Sequence, residues 1–329
     1  MTSLPPVTFI LFAYKQEAFV ERAIMAALAQ DYPNLQVILS DDCSPDGTFA
    51  IMKRAADAYR GPHNVLLNRM ERNVGLSAHI SSVVTKATGG LLIMAAGDDV
   101  SAPQRARRLV ETWLDARGGP AVIYSDYCGI DLSGDIIPGS SPLTHGEAPT
   151  LHQVCRGEMD VHGATSAVTV DLFALFPPIA PDVVHEDRVL PFRALLLGGK
   201  IVYLNEMLVD YRIEGGVSRT PLDQTMVKQF TVRSEQRGLA DARQRLADLR
   251  HHPIDDPDAE SLCLATIAKH EAGLRFLLSP AWKYEITFIK VLMHSNAPRQ
   301  AMRMYLRHRL QSLGVASWVR RLRHNGFAK

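Results

Sequence analysis

The sequence predicts an α/β protein built on a doubly wound, mainly parallel sheet, followed by a helical C-terminal region. Three observations predict it. Short apolar, β-favouring runs alternate with helix-forming segments over the first 126 residues. The runs are continuously hydrophobic, as strands buried on both faces must be. Two of them end abruptly in aspartate pairs, at the strand ends where open α/β sheets bind ligands.

The elements follow in order. "VTFILF" at 7–12 reads as a first strand, then a loop through Tyr14 and Lys15 and a helix from about Ala18 to Ala29. Residues 37–40 form the second strand. Asp41 and Asp42 lie just past it, Ser44 to Gly47 form a tight turn, and Asp46 or Thr48 caps a helix to about Tyr59, stopped by Gly61 and Pro62. A short strand at 64–68 and a helix over about Ser77–Ala87 come next. "GLLIMAAGDDVSAP" gives a buried strand ending in Asp98 and Asp99, with Ser101 as cap and Pro103 in the first turn of a helix through about Trp113. "AVIYSD" at 121–126 is a further strand. From 127 to 160 the pattern weakens into loop and sheet-edge structure. "ATSAVTV" reads as a strand, "DRVLPFRALLLGG" as a helix ending at Gly198, and "KIVYLN" and "LVDYRI" as two more strands. Beyond Pro221 the chain is mostly helical, with a break at "HHPIDDPD".

Composition narrows the function classes. Of 329 residues, 47% are apolar and 22% charged, an ordinary soluble balance with enough chain for about two domains. The four cysteines form no C-x-x-C, which argues against a zinc site or a disulfide framework and fits a reducing cytoplasm. No secretory leader opens the chain, and no apolar run approaches the ~18 residues of a spanning helix, so a cytoplasmic protein is expected. The net charge of +1 hides an asymmetry. After Glu285 there are nine basic residues and no acidic one, which leaves 27 basic against 35 acidic residues, a charge of −8, in residues 1–285.

Two carboxylate pairs at one sheet edge repel each other unless a cation intervenes. A divalent metal with phosphates is the natural candidate, and no G-x-x-x-x-G-K-[ST] or G-x-G-x-x-G loop offers another phosphate cradle. The alternative is that each aspartate merely caps its helix. Asp42, Ser44, Asp46 and Gly47 also match the start of a calcium loop, but Lys53 stands where its bidentate Glu belongs. A third acidic element, "VVHEDRVL", places Glu186 and Asp187 at a helix start. There they either complement the helix dipole, worth ~0.3–1 kcal/mol, or supply a general base. His162 and His185 lack any metal-ligand spacing.

These motifs, in this order, carry a resemblance. "VTFILFAYKQEAFVERAIMAALAQDYPNLQVILSDDCSPDGT", "RNVGLSAHISSVVTKATGGLLIMAAGDDVSAP", "HEDRVL" and "LVDYRIEGGVS" resemble bacterial glycosyltransferase family 2, with its GT-A fold, over roughly residues 6–219. The resemblance implies a donor-binding half at 1–126, an acceptor-binding and catalytic half at 127–220, and a helical region at 221–329 with a basic tail. It implies that Tyr14, Asp41 and Asp42, with Glu17 nearby, bind the nucleotide. It further implies that Asp98 and Asp99 contact ribose and hold Mg²⁺ or Mn²⁺, and that Asp187, with Glu186 adjacent, is the base of an inverting transfer. The donor would be a nucleotide-sugar, a UDP-sugar foremost, and the acceptor a glycan or lipid-linked hydroxyl of a bacterial surface polysaccharide.

Three positions depart from the family pattern. Lys15 replaces an Asn, His79 an Arg, and Glu214 the usual His of the YR-x-H element. Glu214 remains a metal candidate, although a carboxylate repels phosphate, and Arg212 or Arg219 becomes a phosphate partner. In the tail, Met302, Leu306, Leu310 and Leu313 fall at helical spacing among arginines. Such a helix suits an anionic membrane surface or packing on the protein's own core, and lipid-linked acceptors tip the expectation toward peripheral membrane contact. Nucleic acid is not expected, since the basic residues lack interleaved aromatics. The rival functions are a nucleotidyltransferase making sugar nucleotides, which should carry a basic Gly-rich loop after the first strand, and a non-catalytic nucleotide-sugar-binding module.

Overall fold

The apolar runs form strands because both their faces can be covered. In the computed structural model, which describes residues 4–278 apart from 34, 141–147, 160 and 214–223, every residue of β1 (Val7–Ala13) and β2 (Leu35–Asp41) is buried. β1 lies between β2 and β4 (Leu91–Ala96), and β3 (Asn64–Arg69) lies outside β2, all in parallel. Parallel neighbours need crossover helices. α1 (Val20–Leu28), α2 (Thr48–Ala58) and α3 (Leu76–Val84) supply them. α1 buries Val20, Ala23, Ile24 and Ala27, a single i, i+3, i+4, i+7 stripe. These side chains join Phe9, Leu11, Val37, Leu39 and Ile93 in the core.

The rest of the sheet is mixed. β5 (Val100–Ser101), α4 (Arg105–Asp115) and β6 (Ala121–Ile130) follow β4. Then come α5 (Leu151–Cys155), β7 (Ser166–Thr169), α6 (Asp171–Ala174), α7 (Leu190–Leu196) and β8 (Lys200–Arg212). The sheet order is β3-β2-β1-β4-β7-β6-β8-β5. β7 runs antiparallel to β4 and β6, β5 antiparallel to β8, and β6 parallel to β8.

Four expectations are corrected. Ser101 does not cap a helix; it ends β5, its hydroxyl accepts from Arg105 Nη1 at 2.8 Å, and α4 begins only at Arg105, beyond Pro103. "KIVYLN" and "LVDYRI" are one strand, β8. Its pairing with β6 is irregular between Ser125 and Tyr127, and such an irregularity bends a strand without ending it. β6 continues to Ile130, past the expected end at residue 126. Within 127–160 a helix forms at α5, where Thr150 and Gln153 make a capping box.

Helices α8 (Gln224–His251) and α9 (Ala259–Leu278) complete the described chain. The described residues divide into two compact units, 4–213 with 240–263, and 224–239 with 264–278. Among the described residues no helix is long and apolar enough to cross a membrane. The basic segment after Glu285 lies outside them.

Gly89, which leads into β4, shows how tightly the sheet's edge is closed. A Cβ there would stand 2.5 Å from Val7 Cα and 2.6 Å from Thr8 N, whereas one on Gly90 would meet nothing within 4 Å. Gly89→Ala should therefore lose roughly 2–3 kcal/mol in a denaturant melt, and Gly90→Ala far less.

Candidate active site

The carboxyl ends of β1, β2 and β4 put three loops on one edge, and the two aspartates after β2 do different things there. Asp41 is fully buried. Its Oδ2 accepts from Ser44 N at 2.9 Å and pairs with Arg69 Nε at 3.3 Å, while its Oδ1 has no hydrogen-bond partner. Asp42 is saturated by one loop: Oδ1 accepts from Val74 N at 2.9 Å, and Oδ2 from Asn73 Nδ2 at 2.9 Å and Gly75 N at 3.0 Å. Gly75 turns that loop at a φ of 82°, which costs glycine little. Asp46 spends its Oδ1 on Thr48, so the calcium-loop residues do not converge.

The loop after β1 is stitched to the same turn. Lys15 N donates to Ser44 Oγ and Gln16 N to Thr48 Oγ1, both at 2.9 Å, and Glu17 Oε2 accepts from Gly47 N at 2.6 Å. Tyr14 is left exposed, with Lys15 Nζ 5.3 Å from its ring centre. His79 is a packed residue of α3, 2.6 Å from Ser40 Oγ, and burial pushes its imidazole below the usual value.

The second pair sits in a turn that only glycine permits: a Cβ on Gly97 would come 2.8 Å from that of Ala13. Asp99 Oδ1 accepts from Arg212 N at 2.8 Å, and its buried Oδ2 has no partner. Burial first, then the neighbouring Asp98, push the Asp99 carboxyl up to about 8. Asp98 is likewise raised by burial, opposed by Arg212 and Gln16. Arg212 is itself buried, donating to Asp98 O at 3.1 Å and to Asp131 O, its guanidinium 4.3 Å from the Phe19 ring centre. Arg105, fully buried, binds Ser101 Oγ, Met94 O and Ala164 O; burial pushes its guanidinium down to about 9, and Asp99 opposes this.

A buried carboxyl oxygen without a donor, on a side chain that burial and then the neighbouring Asp98 make costly to ionise, fits a divalent cation, since hard cations take oxygen ligands. Among the described residues no three His, Cys, Asp or Glu side chains gather into a metal cage. Asp98 and Asp99 would share such an ion with ligand oxygens and water.

The third acidic element is a 3-10 turn, Glu186–Arg188. Asp187 Oδ2 accepts from Gly163 N at 3.3 Å, and a Cβ on Gly163 would meet Glu186 Oε1 at 2.4 Å. Burial, then Asp187, push the Glu186 carboxyl up to about 8. Asp187 is raised by burial, but His185, the Gly163 N–H, Arg188 and His162 all oppose that rise. Burial thus raises both carboxyls, and only Asp187 has groups of opposite charge set against the rise.

Tyr211 links the acidic clusters. Burial, then the charges of Asp99, Asp98, Tyr127 and Asp187, push its phenol up to about 12. Its ring lies 4.8 Å from that of Tyr127 and 6.3 Å from that of His162. Tyr127 and Tyr211 were not singled out from the sequence. The available signal was the Y in "LVDYRI", one residue before Arg212 and on the opposite face of the same strand. Glu214 and Arg219 lie outside the described residues.

Residues 8–131 match the family model described as Glycosyl transferase family 2. EpsE of Bacillus subtilis (strain 168), provisionally named a glycosyltransferase, is 34% identical over 110 residues, covering 33% of this chain and 39% of EpsE. The succinoglycan biosynthesis protein ExoO of Rhizobium meliloti (strain 1021) is 32% identical over 120 residues, covering 36% of this chain and 33% of ExoO. The chain thus spans little more than a third of these relatives. Staphylococcus aureus TarS 1-349, solved with UDP-GlcNAc, superposes with a TM-score of 0.57 at 16% identity, covering 87% of this chain and 79% of that one. The mannosyltransferase PcManGT of Pyrobaculum calidifontis, solved with GDP-Man and Mn²⁺, gives 0.52 at 16% identity, covering 95% and 87%.

The raised Glu186 carboxyl makes a prediction about stability. Between about 4.5 and 8 the folded state holds a proton that the unfolded chain has released, so stability falls as pH rises through that window and levels above it. Glu186→Gln should remove this contribution, on the order of a few kcal/mol. Thermal melts from pH 5 to 8 should be visibly flatter than those of the parent, and an unchanged slope would refute the buried, protonated Glu186.

Proposed function

From the premise that this chain belongs to glycosyl transferase family 2 through residues 8–131 and has the GT-A fold, we propose that it is an inverting, metal-dependent glycosyltransferase. It would move a sugar from a nucleoside-diphosphate donor to a hydroxyl of a glycan or lipid-linked acceptor in bacterial polysaccharide synthesis. The observation that carries the reading is a chain of contacts between the acidic elements: Arg212 N donates to Asp99 Oδ1 at 2.8 Å, the ring of the preceding Tyr211 lies 6.3 Å from that of His162, and the N–H of the next residue, Gly163, donates to Asp187 Oδ2 at 3.3 Å. A metal-diphosphate group and an acceptor base must meet at one anomeric carbon.

In this reading Asp41, through its open Oδ1, and Tyr14, through its exposed ring, take the nucleoside. Asp42 and Glu17 hold the loops that frame it. Asp98 and Asp99 would hold Mg²⁺ or Mn²⁺, which when bound offsets charge on the departing diphosphate. Arg212 acts through that turn, whose carbonyl and carboxylate it grips. Asp187 accepts the proton of the acceptor hydroxyl as the oxygen bonds to the anomeric carbon; the bond to the diphosphate oxygen breaks, and that oxygen keeps the electron pair. Glu186 adjoins Asp187, and a Cβ on Gly163 would run into Glu186 Oε1, so Glu186 packs against the Gly163 backbone. The donors in the TarS and PcManGT structures, UDP-GlcNAc and GDP-Man, support a nucleotide-sugar. The basic residues after Glu285 would meet a lipid-linked acceptor at an anionic membrane.

Thermal shift against UDP-, GDP-, dTDP- and CDP-sugars, with and without Mn²⁺, tests the donor site. At about 100 times Kd the stabilisation is about 2.7 kcal/mol. Asp187→Ala should keep that shift and lose roughly 10²–10⁴ in donor turnover, while Asp99→Ala should lose the Mn²⁺-dependent shift. Undiminished turnover in Asp187→Ala would remove it as the base.

A further inference from the structure

Arg105, the first residue of α4, is fully buried, and the backbone from which its side chain starts is pinned. Gln30 Oε1 accepts from Ala106 N at 2.9 Å, Gln30 Nε2 donates to Ala102 O at 2.9 Å, and Arg105 N donates to Ala102 O at 3.0 Å. From this root the guanidinium reaches three acceptors. Nη1 donates to Ser101 Oγ at 2.8 Å, and Nη2 donates to two carbonyls at once, Met94 O at 2.7 Å and Ala164 O at 2.8 Å. The planar fork fixes the spacing between the groups it holds.

The two carbonyls belong to different parts of the edge. Met94 lies in β4, the strand that runs into the Asp98–Asp99 turn. Ala164 is the middle residue of a 3-10 turn, Gly163–Thr165, that leads into β7. Its neighbour Gly163 donates its N–H to Asp187 Oδ2 at 3.3 Å. No side chain fits at Gly163, where a Cβ would stand 2.4 Å from Glu186 Oε1 and 3.6 Å from Asp187 Cβ. The turn is therefore pressed onto the Glu186–Asp187 element on one side and tied to β4 through Arg105 on the other. A buried guanidinium is costly, and Arg105 Nε has no hydrogen-bond partner, so packing alone does not account for an arginine here.

We propose that Arg105 is a positioning residue for the transfer: by gripping Met94 O and Ala164 O with one nitrogen, it fixes the Gly163–Thr165 turn, and with it Asp187, against the strand that ends in the Asp98–Asp99 turn. This rests on Asp187 being the base. A reacting group displaced by about 1 Å can cost about 10²-fold in rate, so the tie acts on turnover rather than on donor affinity.

The test is Arg105→Lys in the full chain. Lysine keeps the charge that faces Asp99, but its ammonium stands about one bond short of the Nη2 position and cannot span both carbonyls. Gly163 should then exchange its amide hydrogen about tenfold faster, while Val74 and Gly75, whose N–H groups donate to Asp42, keep their rates. With Mn²⁺ and the sugar nucleotide that the thermal-shift panel selects, kcat of donor hydrolysis should fall about 10- to 100-fold, with KM within about twofold of the parent. Ser101→Ala, which removes the Nη1 acceptor, should move the Gly163 rate and kcat the same way by about threefold, and it carries the test should Arg105→Lys fail to fold. An unchanged Gly163 rate, or an equal acceleration at Val74 and Gly75, overturns the inference. Faster Gly163 exchange with unchanged kcat leaves the tie standing and overturns Asp187 as the base. A parent that shows neither a panel shift nor hydrolysis overturns the glycosyltransferase reading itself, and the amide rates still decide the tie.

Discussion

The site depends on one buried guanidinium. Arg212 ends β8, and from there its backbone N–H holds Asp99 while its side chain holds the carbonyls of Asp98 and Asp131. A buried charge costs several kcal/mol unless it is fully compensated. Arg212 is therefore tolerable only with the acidic turn in place, and two adjacent aspartates are tolerable only with Arg212 behind them. The contact also ties the register of β8 against β6 and β5 to the end of β4. The Asp98–Asp99 turn, the loop at Asp131 and the end of β8 are thus fixed to one another by one arginine.

Around that clamp and behind it three buried carboxyl oxygens lack hydrogen-bond partners: Asp41 Oδ1, Asp99 Oδ2 and, on α8, Asp241 Oδ1. Buried polar atoms are rarely left so by folding alone, which marks these carboxyls as candidates for a contact outside the fold. Neighbouring acids also meet different surroundings. Glu186 and Asp187 are adjacent in sequence and burial raises both, yet the rise is reinforced at Glu186 by Asp187 and opposed at Asp187 by His185, the Gly163 N–H, Arg188 and His162.

Much of the first 126 residues was legible because the signals there are local. Unbroken apolar runs, the aspartate pairs that end them and the turn residues beyond are read within a dozen positions, and β1 to β4 fell where they were expected. The failures involve long-range decisions. Ser101 has the chemistry of a cap, but β5 pairs with β8 more than 100 residues later, and that pairing took the position. The runs "KIVYLN" and "LVDYRI" read as two strands, whereas β8 takes up the extra residues as an irregularity opposite Ser125 to Tyr127 of β6 and runs on. Among candidate residues, sequence could place Asp42 just past the end of β2 but could not show that Asn73, Val74 and Gly75 consume its oxygens. Nor could it show that Arg212 turns inward, since an arginine beside an acidic motif reads equally as a phosphate ligand and as an internal strut.

The polar face of α8 carries the same lesson further. Asp241, Gln244, Arg245 and Asp248 look in sequence like a solvated helix surface, with charges of both signs at helical spacing. They are buried because the 171–197 segment that they face is itself polar: it carries Arg193, the backbone of Ala180 and Arg188, and His185. An apolar helix there would leave those groups without partners, at a cost of roughly 1–3 kcal/mol each. The family match ends at residue 131, before Glu186, Asp187, Tyr211 and this helix. The acidic loops after β1, β2 and β4 thus lie within the stretch matched to the family, while the surroundings of Glu186 and Asp187 are set by side chains from this chain's later segments.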